Sequence, residues 1–534
     1  MIRRHLHRGL RACLICAVFS ALSLFAGTAQ AQQNPDDPPQ FADIVDVRVV
    51  NLEAVVTRKG NRVEGLTASD FQLLVDGRET EIEYFSEIRY GSTVEVQDPE
   101  DVTALPSLEE GELVGTSFLV FIDNVFTIKP YRNKVLKDLA EQAELMGPKD
   151  RMAIVAFDGK ETEMLTSWTG SAPELRRILT AAQDRSSRGL LRRSLAQTRV
   201  RVGVNRYQSR AAGILDLNSV VDSAAATLRA FAKPPGRKVM LIVSGGWSSE
   251  FWDRGQTTDL GGVYSGRGIQ RLTGPLVDSA NLLGYTLYPI EADGIDQPFA
   301  DASVATAAEA RRQRELNFQR DLNEEGVLLA LAEETGGRAF LDGASRNPLS
   351  KVQDDTASYY SIGFTPTWRA NDFKHSIRLI YKGEGKVRSR ESFMDLSRST
   401  ELSLQLESAR MFDLPLAAVA ELRVQPKEPE KAGFRKVVLP IEVEIPLDHV
   451  TLFPNAQGWA GRLELRVAVT DDRGDRSDIP VIPIDVFFRK KPGPGETRIY
   501  ETGLKMRKRP HRLHLSLHDV PTGEALSTAI DVSL

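Results

Sequence analysis

An aspartate at the end of an apolar strand is the residue in this chain best placed for chemistry. The stretch LVFIDNVFT, residues 119–127, has four apolar residues before Asp123. Open α/β sheets place their binding sites at the carboxyl ends of strands, where such an aspartate would stand. Asp123 could hold a divalent cation there, cap the next helix or accept hydrogen bonds from loop amides. Which of these roles Asp123 has depends on the strands and helices that position it.

Around Asp123, strand and helix patterns alternate over residues 116–398. The predicted strands cover 118–122, 152–157, 239–243, 286–290 and 339–341, and a further edge strand is predicted from Ser358. The predicted helices cover 131–146, 173–182, 217–232, 275–283 and 324–335. All-apolar strands separated by helices are typical of a parallel sheet covered on both faces. The predicted fold class is therefore α/β, with a mostly parallel, Rossmann-type sheet.

Two β-rich regions are predicted to flank this α/β region. Residues 42–90 alternate apolar and polar side chains, and their Asp76-Gly77 pair predicts a tight hairpin turn. Residues 91–115 are acidic and turn-rich and are interpreted as a linker. Residues 399–534 contain short strand patterns at regular spacing, which are typical of an antiparallel β-sandwich resembling an immunoglobulin domain.

The first 31 residues have the features of a cleaved signal peptide. A basic beginning precedes an apolar run over 14–25, and Ala29 and Ala31 form a small-x-small cleavage site before the polar segment 32–41, predicted to be disordered. An uncleaved anchor is the alternative. We expect an exported protein, periplasmic or extracellular, without a stable membrane anchor after cleavage.

Composition narrows the classes of partner. Cys13 and Cys16 are the only cysteines, and both lie inside the predicted signal peptide. The mature chain would therefore have no disulfide and no cysteine nucleophile. The formal net charge of −5 favours solubility and gives no reason to expect nucleic acid as the main partner.

The sequence resembles secreted bacterial proteins related to the von Willebrand factor A domain. One part of the resemblance is VTRKGNRVEGLTASDFQLLVDGRETEIEYFSEI, residues 56–88. The other is the apolar strand that ends in Asp123, followed by a helix and GPKDRMAIVAFDGKETEMLTSWT, residues 147–169. The resemblance covers about residues 42–365. It implies an A-type domain with a metal-ion-dependent adhesion site at the strand ends.

In such domains the adhesion motif D-x-S-x-S supplies oxygen ligands to Mg²⁺, with a threonine and a second aspartate from later loops. Here the motif contains Asp123, Val125 and Thr127, and Val125 cannot coordinate a cation. The central strand ends at Ser244 without a carboxylate, and Thr198 is a candidate for the later threonine. The resemblance therefore implies a degenerate site in which Asp123 and Thr127 remain, with no resident cofactor. A weak Mg²⁺ site is the alternative.

The same sheet edge is the predicted protein-binding surface. It would contain Asp123, Thr127, Ser244, Trp247 and Trp252. Exposed aromatic residues are enriched at interfaces, which favours a binding role for the two tryptophans. Packing over the end of the sheet is their alternative role.

The remaining chemical signals are weaker. The chain contains neither G-x-S-x-G nor H-E-x-x-H. His514, Ser516 and His518 alternate with leucines on one predicted strand and are interpreted as a solvated row rather than metal ligands. The acidic stretch Thr470–Asp478 is interpreted as a polar hairpin loop, with a Ca²⁺ loop as the alternative.

We therefore predict a non-catalytic protein that binds or scaffolds a protein partner at the cell envelope. A metal-dependent adhesion module using Mg²⁺, Mn²⁺ or Ca²⁺ is the first alternative, and a hydrolase is the second. The long segments 184–213 and 247–271 fit no predicted element, and the sequence does not name the partner.

Overall fold

The structure is a computed structural model of the chain. It describes residues 49–94, 113–192, 206–232, 234–247, 266–292, 325–341, 347–368, 370–412, 416, 418–472 and 477–534. The described residues do not include six of the residues singled out in the sequence, namely Cys13, Cys16, Ala29, Ala31, Thr198 and Trp252.

The N-terminal strands pair with strands that come much later in the chain. One antiparallel sheet contains β1 (Val50–Arg58), β2 (Asn61–Arg62), β5 (Tyr84–Arg89), β6 (Ser92–Val94), β12 (Tyr359–Phe364) and β14 (Lys386–Arg388). A second contains β3 (Phe71–Val75), β4 (Arg78–Thr80), β13 (Lys374–Tyr381) and β15 (Ser392–Met394). Both sheets contribute to one apolar core. Residues 359–394 are predicted to belong to the α/β region, whereas their strands pair with the N-terminal ones.

The hairpin predicted at Asp76-Gly77 is confirmed. These two residues connect β3 to β4, and Val75 pairs with Arg78 across the turn. Both have positive φ, 50° for Asp76 and 77° for Gly77. A two-residue turn of this kind matches the twist of the strands that it joins.

A five-stranded sheet forms the centre of the described chain. Its strands are β7 (Thr116–Asp123), β8 (Arg151–Phe157), β9 (Thr162–Thr169), β10 (Arg237–Ser244) and β11 (Tyr285–Glu291). The spatial order is β11-β10-β7-β8-β9, in which β9 alone runs antiparallel to its neighbour. Because β7 is central, Asp123 lies in the middle of the edge formed by the strand ends.

Helices cover both faces of this central sheet. They are α1 (Lys129–Gln142), α2 (Ala172–Ala182), α3 (Arg206–Ala230), α4 (Gly266–Leu283), α5 (325–334) and α6 (Pro348–Thr356). Leu119 and Phe121 of β7 point into the core on one face, while Phe118, Val120 and Ile122 point into the core on the other. Alternation of this kind buries a strand completely. Among the described helices, none combines the length and the apolar character needed to cross a membrane.

Helix α7 (Arg398–Phe412) leads into the C-terminal β region. One sheet there contains β16 (Ala420–Glu421), β20 (Phe453–Asn455), β21 (Gly458–Asp471), β22 (Val481–Phe488), β24 (His511–Asp519) and β25 (Ala525–Val532). The other contains β17 (Arg423–Pro426), β18 (Glu430–Lys431), β19 (Lys436–Pro446) and β23 (Thr497–Arg507). Apolar residues of both sheets form a single core.

The predicted fold class, a mostly parallel Rossmann-type α/β fold, is wrong. Strands account for 43% of the structure and helices for 27%, with several antiparallel sheets and a half-barrel. Among the described residues, the strand–helix alternation gives the parallel pairs of the central sheet. The more numerous strands outside it pair in antiparallel fashion, apart from the short parallel pair of β16 with β25. The strand predicted at 339–341 is a single bridge between Phe340 and Ile290. The error arose because strand pairing depends on distant segments that a local pattern does not specify.

Candidate functional site

Asp123 is fully buried, and its carboxylate accepts hydrogen bonds on both oxygens. The backbone N–H groups of Val125 and Phe126 donate to Oδ1 at 2.8 and 3.1 Å. The Ser244 hydroxyl donates to Oδ2 at 2.7 Å, and the Trp247 indole N–H donates to the same oxygen at 3.1 Å. We call Asp123, Ser244 and Trp247 the Asp123 cluster. A buried carboxylate needs such donors because it has lost its hydration.

The other predicted site residues are internal as well. Thr127, Ser244 and Trp247 are all buried. The Thr127 hydroxyl donates to the backbone carbonyl of Asp123 at 2.5 Å, closing the loop after β7. Trp247 packs into the core beneath the sheet end, which was the alternative that the sequence left open. Any contact of this edge with a partner must therefore use other residues of the same loops.

These residues do not fit a metal ion. Protein donors occupy both Asp123 oxygens, and the Val125 side chain belongs to the apolar core. A divalent cation needs oxygen lone pairs that point at it, whereas Ser244 and Trp247 direct hydrogens at Oδ2. In the described part of the chain, no group of three or more His, Cys, Asp or Glu side chains is arranged to hold a metal ion.

Two opposing effects act on the protonation of Asp123. Burial raises the pKa of its carboxyl group because the charged form has lost its water. The hydrogen bonds from Ser244, Trp247, Phe126 and Val125 act in the other direction, and burial prevails. The four donors thus hold the carboxylate in place at a position that is otherwise unfavourable for charge.

Arg132 anchors the neighbouring loop from below. This buried side chain of α1 donates to the carbonyls of Gln183 and Arg185 at 3.1 and 2.8 Å, and to that of Ser186 at 3.3 Å. It also donates to the side-chain oxygen of Asn124. Burial lowers the pKa of Arg132 to about 10, and the positive charge of Arg185 adds to this effect. One guanidinium therefore connects the loop after α2 to the loop after β7.

The loop after α2 in turn lies directly on the loop after β7. Arg188 N–H donates to the Asn124 carbonyl at 2.8 Å, and Gly189 N–H donates to the Thr127 carbonyl at 3.1 Å. A Cβ atom on Gly189 would stand 2.4 Å from the Thr127 carbonyl oxygen. Such a contact is possible only for glycine. No element was predicted for this segment, and its contact with the loop after β7 was missed. Gly189 is the residue that could have indicated such a close contact.

Two exposed leucines follow this glycine. Leu190 and Leu191 follow Gly189 at the start of a helical segment and are 51% and 59% exposed. Arg192 stacks over the Phe126 ring at 4.4 Å and forms an ion pair with Asp216 of α3. Next to Asp216, Leu215 is 68% exposed. We call Leu190, Leu191 and Leu215 the leucine rim.

The interpretation of His514, Ser516 and His518 as a solvated row is wrong, because all three are buried. Helix α7 covers this face of β24, where Arg466 of β21 reaches Ser399 and Ser403 of the helix. His518 Nε2 and the Ser516 hydroxyl are 2.8 Å apart. The local alternation was read correctly, but only the position of α7 shows that both faces are covered.

The acidic stretch Thr470–Asp478 is only partly described. Asp471 is buried and forms ion pairs with Arg507 and Arg509 at 3.2 and 3.0 Å. Its carboxylate is thus paired with two arginines of the same chain. Residues 473–476 lie outside the described residues.

Comparison with known proteins gives no family. The sequence matches no protein-family profile and no curated protein. Among solved structures, a Bacteroides uniformis beta-glucuronidase is 10% identical, with 33% of this chain and 19% of that chain covered and a TM-score of 0.16. The putative ApaA protein from Bordetella pertussis is 12% identical, with 22% of this chain and 97% of that chain covered and a TM-score of 0.14.

These likenesses carry no argument about fold or activity, because their TM-scores are far too low. The chain also spans only 13% of a second Bacteroides uniformis beta-glucuronidase, at 14% identity and a TM-score of 0.15.

Proposed function

We propose that this chain is a non-catalytic protein-binding or scaffolding protein of the cell envelope. Its partner contacts the leucine rim rather than the Asp123 cluster itself. One observation supports this proposal. Leu190 and Leu191 are exposed directly after Arg188 and Gly189, whose N–H groups are hydrogen-bonded to the loop after β7. Exposed apolar side chains next to one another are typical of interaction sites.

The buried residues below the rim have a supporting role in this proposal. The Asp123 cluster fixes the loop after β7, and Arg132 fixes the loop after α2 on top of it. A surface held in one conformation loses little entropy when it binds. The degenerate adhesion motif would then have become a structural support whose polar groups are satisfied internally. The proposed location rests on the signal-peptide features of residues 1–31.

A site-specific photo-cross-linker tests this function. A photoreactive amino acid is placed at position 191 of the full chain in its native envelope, and at position 434 as a matched control. Phe434 is 96% exposed and lies in the C-terminal β region. We expect a discrete adduct with a second protein from position 191 only, identified by mass spectrometry. The Leu190→Asp change, made beside the probe, should abolish it.

Two results would count against the proposal. One is the absence of an adduct from position 191 in envelopes that contain the folded chain. The other is the same set of adducts from positions 191 and 434, because that would indicate non-specific contact.

A further inference from the structure

β23 is a long strand with one unpaired side. All eleven of its residues pair with β19, from Thr497 opposite Pro446 to Arg507 opposite Lys436. Among the described residues, no strand pairs with its other side. An edge of this length presents a row of backbone donors and acceptors to another strand.

The hydrogen bonds of β19 show which residues of β23 face this open side. The Pro440 carbonyl accepts from Lys427 N–H at 2.9 Å, so Pro440 directs its backbone away from β23. Pro440 stands opposite Gly503. In an antiparallel pair, residues opposite each other point their backbone groups in matching directions, so Gly503 directs its N–H and C=O to the open side. Residues two and four positions away, including Glu501 and Lys505, do the same.

The side chains of these residues form an exposed row. Ile499 is 60% exposed, and Glu501 and Lys505 are exposed as well. Leu504 and Met506, on either side of Lys505, point into the core instead. Within the described residues, Glu501 and Lys505 form no ion pair. Glu501 and Lys505 lie symmetrically about Gly503. The third charged residue of the row, Arg507, is already paired with Asp471.

We propose that β23 pairs with β23 of a second copy of this chain. The two strands run antiparallel about a twofold axis at Gly503, which places Glu501 opposite Lys505 of the partner subunit and Lys505 opposite the partner subunit's Glu501. The pairing joins the four-stranded sheet that contains β23 in one subunit to the same sheet of the partner subunit, and so forms one continuous sheet. An interface with twofold symmetry must be complementary to itself, and this row of side chains meets that condition.

Charge disfavours the antiparallel register whose axis lies two residues earlier. Moving the axis to position 501 would place Glu501 opposite Glu501 of the partner subunit, and like charges directly opposite each other are destabilising. With the axis at Gly503, both Glu–Lys pairs form at once. Gly503 also leaves the axis free of side-chain atoms, so the two backbones can approach there.

Cysteine cross-linking tests the register. The chain has cysteines only at positions 13 and 16, so the chain from residue 32 onward has no background thiol. Within one strand, positions 501 and 505 are about 13 Å apart, too far for a disulfide. Under mild oxidation, Glu501→Cys/Lys505→Cys should give a covalent dimer. Each single variant alone should not, whereas a mixture of the two single variants should.

Charge exchange tests the same pairing without a cross-link. Sedimentation of the unmodified chain should show a dimer. Glu501→Lys should weaken it at least about tenfold, because two opposite-charge pairs become two like-charge pairs. Glu501→Lys/Lys505→Glu should restore the dimer. A chain that stays monomeric at about 100 μM, or single-cysteine variants that cross-link as readily as the double variant, would overturn the proposal. Neither test involves the leucine rim.

Discussion

The indole N–H of Trp247 donates to the Oδ2 atom of Asp123 at 3.1 Å, and both side chains are completely buried. The two residues are separated by 124 positions in the sequence. Trp247 lies just beyond the end of β10, so this bond ties the ends of two adjacent strands together. A tryptophan and a serine thus supply hydrogens at the position where the resemblance to A-type domains implies a cation.

Replacing Trp247 by phenylalanine should therefore destabilise the protein through the lost donor. We expect Trp247→Phe to lower the free energy of unfolding by about 1–3 kcal/mol, because a buried carboxylate oxygen loses one of its partners. Chemical denaturation is the measurement. Trp168→Phe is the control, because Trp168 contacts Phe231 in the same core edge-to-face at 5.4 Å. Equal losses in the two variants would contradict the role of the hydrogen bond.

Divalent cations should not bind at Asp123. Calorimetric titration of residues 32–534 with Mg²⁺, Mn²⁺ and Ca²⁺ should show no heat and no shift in Tm. The reason is that both Asp123 oxygens already accept hydrogen bonds from the protein. Saturable heat that disappears in Asp123→Ala would contradict this prediction, because it would show that the hydrogen-bonded arrangement opens to accept an ion.

Removing Arg132 should loosen the loop that carries the leucine rim. Arg132→Met leaves the carbonyls of Arg185 and Ser186 without this donor, at a cost of about 2–4 kcal/mol. Hydrogen exchange should accelerate at the amides of Arg188 and Gly189, which donate to the loop after β7. Arg176→Met is the matched control, because Arg176 pairs with Glu144 at the surface and such pairs contribute little. Unchanged exchange at these amides would argue against the anchoring role.

Acid should weaken the packing of α7 on the C-terminal sheet. Burial lowers the pKa of His518 to about 3, and the charges of Arg466 and Arg398 contribute to this effect. An unfolded histidine has a pKa of about 6.5, so the unfolded chain binds a proton first as the pH falls. The stability that neutral His518 provides is complete above pH 6.5 and declines between about pH 6.5 and about pH 3.

His518→Gln should remove this part of the acid sensitivity. Over that pH window, the unfolding free energy of the unmodified chain should fall more steeply than that of the variant, by at most about 1.4 kcal/mol per pH unit. Urea denaturation at several pH values is the measurement, and His449→Gln is the control in the same domain. Parallel pH profiles for the unmodified chain and His518→Gln would contradict the prediction.

Local sequence was sufficient to predict the strands that surround Asp123. The apolar runs at 118–122, 152–157, 239–243 and 286–290 correspond to β7, β8, β10 and β11, with ends that differ by at most two residues. Such runs identify buried strands because each residue must be apolar when both faces are covered. The Asp76-Gly77 turn was equally local, since positive φ at two consecutive positions restricts the residue types that fit.

The tertiary structure alone decided what those elements are paired with and what Asp123 does. Ser244 reaches Asp123 across 121 positions, and β12 pairs with β1 rather than with the central sheet. Helix α7 covers a row of histidines whose alternation by itself indicated solvent. In each case the deciding contact joins residues that are far apart in the chain. The sequence determined that Asp123 would end a buried strand. The side-chain donors to its carboxylate come from a segment that only folding brings close to it. The physical reason is that burial and hydrogen bonding depend on neighbours in space.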